Sequence, residues 1–219
     1  IGEGHWGLTI GAGTGLAYFA CNVPWVFQAS PSTQTVAVIL VAFVGCCLVP
    51  ICFEPSESAV ETHTSVSFGF GWVLVVFTML IWLDSAAFFV IQNSRTLAEG
   101  TWGDSALLWR NAVVHLVAAL LAGWWLEKQR SLAPVALAFV ILAVASWCVN
   151  AKATLWLGGL LYPAGVSLYS TCLVAFPAYV LGRVSRDRRA WLAAILYAVA
   201  GWIGSGMGVG MAHNLPTKP

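Results

Sequence analysis

Seven predominantly apolar runs follow one another along the chain, and each is about as long as a membrane-spanning helix. The runs cover residues 6–28, 34–53, 67–92, 106–126, 132–150, 154–181 and 190–212. A helix needs about 20 such residues to cross the hydrocarbon core of a bilayer. The polar connections between them are too short to form a domain. The sequence therefore predicts an all-α integral membrane protein, a single bundle of about seven transmembrane helices in contact with lipid.

The composition excludes most other classes of protein. Hydrophobic residues make up 59% of the chain and charged residues 9%, whereas a soluble domain is about 25% charged. A net charge of +1 gives no reason to expect a nucleic-acid partner. Catalytic motifs such as G-x-S-x-G, H-E-x-x-H or a phosphate loop are absent, so we expect no enzyme and no catalytic residue. The six cysteines have neither C-x-x-C nor C-x-x-C-H spacing, which predicts no metal site and no covalently held haem.

Glycine recurs at four-residue spacing in the first and last runs. Gly7, Gly11 and Gly15 share one face of the first predicted helix, and Gly204 and Gly208 share a face of the last. Small residues at this spacing allow two helix backbones to approach closely in a membrane. We therefore interpret both stripes as helix-packing surfaces.

Basic residues predict the orientation in the membrane, because cytoplasmic loops carry an excess of Lys and Arg. The loops at 127–131 and 182–189 contain six of the ten basic residues and fall on the same side of a seven-helix bundle. We expect both loops to be cytoplasmic, in the inner membrane of a bacterium. The acidic connection FEPSESAVETHTS falls on that side as well.

The stretch GWWLEKQR, residues 123–130, follows the pattern G-x-x-x-[DE]-[RK] with a further base. It resembles the loop signature of the major facilitator superfamily of transporters, with Gly123, Glu127, Lys128 and Arg130 at the signature positions. It departs from that signature in two ways, since Glu stands where Asp is commoner and Gln129 stands where Gly is expected. The glycine would allow close helix contact, and the acid would approach the positive N-terminal end of another helix.

The resemblance implies a numbering of the helices. The signature recurs after the second and the eighth helix of the family, and the second position matches this chain's topology. Residues 1–65 would then hold two helices of a preceding half and a cytoplasmic linker, and 66–219 five helices of the C-terminal half. Four helices would precede residue 1 and one would follow residue 219. Glu127 would lie near the start of the last predicted helix, around residues 189–192.

Three further segments, LDSAAFFVIQ, GVSLYS and YAVAGWIGSGMGVGM, resemble a bacterial subgroup of this superfamily that is associated with c-type cytochromes. That narrower resemblance implies cytochrome c or other membrane subunits as partners.

Asp84, Arg110 and His115 are the polar groups predicted to lie inside the membrane. Such residues are rare and are functional candidates by default. Asp84 and Arg110 lie at similar depths on consecutive antiparallel helices, so we expect an ion pair or a water-bridged contact between them. That contact would either fix the hairpin or place a substrate or proton-coupling group in a central cavity. His115 would hydrogen-bond a neighbouring group or relay protons.

A haem held by two histidines is not expected within this chain, because His5, His63 and His213 lie at helix ends or in loops. We therefore predict no intrinsic cofactor. His115 stays a candidate axial ligand for haem or chlorophyll only if the protein belongs to a larger complex.

Two functions follow from these patterns. The first is a secondary transporter of an unknown small solute. The second is a non-transporting membrane scaffold in a respiratory or photosynthetic electron-transfer complex. A transporter should have Asp84, Arg110 and His115 facing one shared cavity, whereas a scaffold should have them paired and packed.

Overall fold

The protein is described by a computed structural model covering residues 5–52, 69–129, 133–149, 152–179 and 185–213. Within these ranges the chain is helical and contains no strand. The α-helices are α1 (Trp6–Cys21), α2 (Pro24–Phe27), α3 (Pro31–Cys52), α4 (Phe70–Asn93), α5 (Arg95–Trp102), α6 (Ser105–Gln129), α7 (Ala133–Cys148), α8 (Leu155–Tyr179) and α9 (Arg186–His213). A short 3-10 helix, Lys152–Thr154, precedes α8.

Five of the described helices are long and apolar enough to cross a membrane, namely α3, α4, α6, α8 and α9. The predicted runs at 6–28 and 132–150 contain helices of 16 residues each, α1 and α7. In the first run the helix ends because Pro24 starts the separate helix α2. An integral membrane protein is thus supported, while the full count of seven spanning helices stays a prediction.

One element was not anticipated from the sequence. The sequence predicts only a polar connection at residues 93–104, yet Arg95–Trp102 form the helix α5. Arg95 and Glu99 form an exposed ion pair one turn apart at 2.8 Å. On the opposite side Thr101 is fully buried. Helix α5 contacts α4, α6 and α8, so it lies across the end of the bundle and separates α4 from α6.

The glycines of α1 form its interface with α6. Gly7 lies directly against Gly123, and a Cβ on either residue would clash with the other's carbonyl oxygen. Gly11 lies in the same way against Ala119, and Gly15 follows one turn later. In these contacts the residue numbers increase along α1 while those of their partners decrease along α6, so the two helices are antiparallel. Close backbone approach is the reason this face contains only small residues.

The glycines of α9 form the most extensive interface of the bundle, with α4. A Cβ on Gly204 would meet the carbonyl oxygen of Thr78 at 2.8 Å, and Gly208 lies similarly against Trp82. Gly206, on another face of α9, has open space where a side chain would be. In these contacts the residue numbers increase in the same direction along both helices, so α4 and α9 are parallel.

Helix α8 lies at the centre of the bundle and contacts α1, α4, α5, α6, α7 and α9. Its apolar segment is 72% buried, the highest value among the candidate spans. Arg110 reaches Gly159 and His115 reaches Ser167, so α6 and α8 are parallel. A helix that is apolar around its whole circumference is expected in such a central place.

Helix α4 runs antiparallel to α8. Phe77 packs against Phe176 with ring centroids 6.1 Å apart, and further along α4 Asp84 reaches back to Tyr162. Since α9 is parallel to α4 and α6 is parallel to α8, the end of α6 and the start of α9 lie at the same end of the bundle. Both carry basic residues, so the described helix ends next to the two predicted cytoplasmic loops lie at one end of the bundle.

Helix α3 stands apart from the bundle. Its residues 31–48 are exposed except for Gln34, which is partly buried and donates hydrogen bonds to the carbonyls of Val26 and Phe27. The predicted domain boundary at 65/66 and most of the acidic linker fall in residues 53–68, outside the described part of the chain.

Candidate functional site

Asp84 lies in the middle of α4 and is held by two tyrosines of α8. The hydroxyls of Tyr162 and Tyr169 donate hydrogen bonds to its two carboxyl oxygens, at 2.6 and 2.5 Å. The tyrosines are seven residues apart, so they lie on the same face of α8 about two turns from each other. Two short bonds to one carboxyl group compensate much of its loss of water.

The predicted ion pair between Asp84 and Arg110 is not formed. Arg110 instead donates to the side-chain oxygen of Asn111, from Nε at 3.3 Å and Nη2 at 3.2 Å, and to the carbonyl oxygen of Gly159 at 3.3 Å. The ion pair is absent because α4 and α6 pack against α5 and α8 rather than extensively against each other. The water-bridged contact stays a prediction. Similar depth in the membrane therefore did not place the two charges on facing surfaces.

The bond from Arg110 to Gly159 has a cause in the sequence of α8. Pro163 lies four residues after Gly159, inside the helix. Proline has no N–H, so the carbonyl four residues earlier loses its usual partner within the helix. Arg110 provides the replacement donor. Asn111 extends the contact, since its Nδ2 donates to the carbonyl oxygen of Thr101 at 2.9 Å.

His115 forms a second polar cluster, on α6. Its Nδ1 is hydrogen-bonded to Oγ of Ser167 at 2.7 Å. Its ring is stacked on Tyr18 of α1, with centroids 4.6 Å apart and an angle of 7° between the planes. The Tyr18 hydroxyl is in turn hydrogen-bonded to Ser170 at 2.9 Å. The cluster therefore ties α1, α6 and α8 together.

Asp84 and His115 line the same cavity. It has a volume of about 380 Å³ and lies among helices α1, α2, α4, α5, α6, α8 and α9. Its remaining lining residues are Tyr18, Asn22, Phe27, Ser85, Phe88, Trp102, Tyr162, Val166 and Val209. Arg110 is not among them. Of the three predicted intramembrane groups, Asp84 and His115 thus share one cavity, whereas Arg110 contacts Asn111 and Gly159.

The signature residue Glu127 lies at the beginning of α1. Its Oε2 accepts a hydrogen bond from the backbone N–H of Leu8 at 3.2 Å, and its Oε1 is hydrogen-bonded to Nδ1 of His5 at 3.2 Å. An acid at the N-terminal end of another helix is the arrangement that the signature implies. The expected position near residues 189–192 of α9 was wrong, because Gly123 brings the end of α6 against α1.

The other signature residues are placed as follows. Lys128 is exposed at the end of α6, and Arg130 lies outside the described residues. No group of three His, Cys, Asp or Glu side chains that could hold a metal ion occurs within the described ranges. His115 has Ser167 at Nδ1 and Tyr18 on its ring face, which leaves Nε2 as the ring atom for any additional ligand.

Sequence reasoning missed Tyr162, Tyr169 and Tyr18. Neutral aromatic residues in apolar runs are common, so none of them stood out. The available signal was the seven-residue spacing of Tyr162 and Tyr169, which gives α8 two hydroxyls on one face. Pairing them with Asp84, the single acid of α4, would have found the site.

The chain matches no family model, and neither a curated protein nor a solved structure is found that is similar to it.

Proposed function

We propose that this protein is a secondary transporter of a small solute, similar in architecture to the major facilitator superfamily. The observation that carries the proposal is the cavity lined by both Asp84 and His115. Its volume of about 380 Å³ lies within the usual range of small-molecule sites. A charged residue and an ionisable residue on one cavity inside a membrane protein are typical of substrate or ion pathways.

The composition of the cavity wall supports this function. Under the helix numbering that the resemblance implies, α1 belongs to one half of a transporter and α4, α6, α8 and α9 to the other. Tyr18 of α1 and Asn22, which follows that helix, line the cavity together with Asp84 of α4 and Val166 of α8. Transporters built from repeats hold their substrate between such halves. In this proposal Asp84 and His115 are the substrate or proton-coupling groups.

The orientation belongs to the same proposal. The end of α6 and the start of α9 would face the cytoplasm, because both carry basic residues at the same end of the bundle. The membrane would be the inner membrane of a bacterium.

Alternating access can be tested without knowing the solute. We suggest replacing the natural cysteines by alanine or serine and introducing Val166→Cys at the cavity wall. A membrane-impermeant maleimide is then applied to right-side-out and to inverted vesicles. A transporter exposes Val166→Cys to both sides in turn, so labelling is expected from each side. Ala145→Cys is the matched control, because Ala145 is fully buried in the core and does not line the cavity.

Labelling of Val166→Cys from one side only, or from neither side, would contradict alternating access. It would favour the alternative, a scaffold subunit that does not transport. One observation favours that alternative, since α3 presents an apolar surface to its surroundings and packs extensively against none of the other described helices. Purification in mild detergent with an absorption spectrum would then identify any haem-bearing or pigment-bearing partner bound to it.

A further inference from the structure

We propose that the cavity lined by Asp84 and His115 binds a monovalent organic cation, an amine or a quaternary ammonium. The inference deepens the proposed function by naming a substrate class, and its transport part rests on that function. Binding itself does not, because a cation site is defined by the groups on the cavity wall alone.

The charges around the cavity favour a cation. Among the described residues that line it, Asp84 is the single acid, and none is Lys or Arg. The nearest arginine along α6, Arg110, is engaged with Asn111 and Gly159. An anion would therefore meet a carboxyl group with no fixed positive charge to balance it. An ammonium would meet a carboxylate that is already oriented by two tyrosines.

Asp84 retains acceptor capacity for such a ligand. An ionised carboxylate offers about four lone-pair positions on its two oxygens. Tyr162 occupies one position on Oδ1 and Tyr169 occupies one on Oδ2. The remaining positions are able to accept N–H groups or to attract a quaternary ammonium. The two hydroxyl donors thus fix the carboxylate without saturating it.

Aromatic rings provide the rest of the site. Phe88 lies one turn after Asp84 on α4, which places both side chains on the same helix face. Its ring is 5.3 Å from that of Trp102, and Trp102 is 6.1 Å from Phe27, measured between centroids. All three line the cavity. A cation within about 6 Å of such ring faces is attracted by the negative potential of the π-system.

The same wall is unsuited to a hard divalent metal ion. A hard divalent cation requires about six oxygen ligands, usually including several carboxylates. The cavity offers one carboxyl group, and the described residues contain no group of three metal-ligating acids, histidines or cysteines. A volume of about 380 Å³ also exceeds the space of a single ion. An organic cation fills that space and uses both the charge and the rings.

The test compares phenyltrimethylammonium with benzenesulfonate, a cation and an anion that share a phenyl ring. Binding of each is measured by equilibrium dialysis with the purified full chain in detergent. We expect saturable binding of the cation and none of the anion. Asp84→Asn should weaken cation binding by at least about thirtyfold, because a desolvated charge partner is lost. Trp102→Leu should weaken it by about five- to thirtyfold.

Glu99→Gln is the matched control, since Glu99 is an exposed acid of α5 that does not line the cavity. Its affinity should equal that of the unmodified protein. If Asp84→Asn does not fold, the comparison of Trp102→Leu with Glu99→Gln decides the question. Binding of benzenesulfonate in place of the cation, or cation binding that neither cavity substitution weakens, overturns the proposal.

The two proposals fail in distinguishable ways. If Val166→Cys is labelled from both sides of the membrane but phenyltrimethylammonium does not bind, the substrate class is wrong and transport stands. If the cation binds through Asp84 but Val166→Cys is labelled from one side only, the cation site stands and transport is wrong. Counterflow of radiolabelled phenyltrimethylammonium into proteoliposomes supports both together.

Discussion

Gly123 of α6 lies against Gly7 of α1 so closely that neither residue has space for a methyl group. The contact joins the beginning of one helix to the end of another and positions Glu127 one turn later. Through this contact, the signature-like stretch 123–130 packs against the beginning of α1.

Adding one methyl group at this contact should destabilise the protein. Gly123→Ala or Gly7→Ala should reduce the free energy of unfolding by about 1–3 kcal/mol, because two backbones must move apart. The measurement is equilibrium unfolding in mixed micelles. Gly13→Ala is the control, since a side chain at Gly13 meets open space. A loss at Gly13 equal to that at Gly123 would show that the close contact is not the cause.

The two glycine faces of α9 should respond differently to the same change. Gly208→Ala places a Cβ against the backbone of α4, whereas Gly206→Ala places it in open space. We expect the first to lower the thermal unfolding midpoint and the second to leave it unchanged or slightly raised, because alanine favours a helix by about 1 kcal/mol over glycine. Equal effects at the two positions would contradict the α4–α9 interface.

Glu127 should stabilise the beginning of α1. Glu127→Ala removes the acceptor of the Leu8 N–H and the negative charge at the helix N-terminus, and we expect a loss of about 1–2 kcal/mol in unfolding free energy. Glu127→Gln keeps an acceptor but not the charge, so its loss should be smaller. Glu99→Gln, in an exposed pair with Arg95, should have little effect. A loss at Glu99 as large as that at Glu127 would argue against the helix-end contact.

Double-mutant cycles should locate the partners of Asp84. The cycle of Asp84→Asn with Tyr169→Phe should give a coupling energy of about 1–2 kcal/mol, since the two side chains share a hydrogen bond. The cycle with Arg110→Ala should give a value near zero, because Arg110 bonds to Asn111 and Gly159. Strong coupling between Asp84 and Arg110 would restore the ion pair predicted from the sequence.

Arg110 and Pro163 should be coupled through the carbonyl of Gly159. Arg110→Ala leaves that carbonyl without a donor, at an expected cost of about 1–3 kcal/mol in unfolding free energy. In a Pro163→Ala background the residue at 163 regains an N–H, so the same substitution should cost less. An identical cost in both backgrounds would exclude the role assigned to Arg110.

The sequence indicated which face of a helix is packed more reliably than it indicated which helix packs against that face. The four-residue spacing of Gly7, Gly11 and Gly15 indicated a packing face, but no local pattern identifies α6 as its partner. Glu127 was expected at a helix N-terminus for a sound electrostatic reason, and it was assigned to the wrong helix. Which helices meet depends on the packing of the whole bundle, which is not encoded in any short segment.

The candidate site was predictable only in part, for a similar reason. Charge in an apolar run identified Asp84, and polarity identified His115, because both are costly in a membrane. Their neighbours depend on how each helix is rotated about its own axis in the bundle, which the sequence does not show. Helix α5 was not recognised as a helix. Tyr162 and Tyr169 became important only because α8 turns that face towards α4.

Pro163 separates the two tyrosines that hold Asp84, and it has consequences for how α8 can bend. The helix lacks its internal hydrogen bond between Gly159 and Pro163, so its resistance to bending is reduced in the turn that contains Tyr162. A change in curvature at that point alters the spacing of the two hydroxyls. The carboxyl group of Asp84 keeps both short hydrogen bonds only while the two tyrosine hydroxyls are a fixed distance apart. Asp84 therefore holds α8 at one curvature. A ligand at the acceptor positions that the tyrosines leave unoccupied would keep both bonds, and with them this curvature, in place.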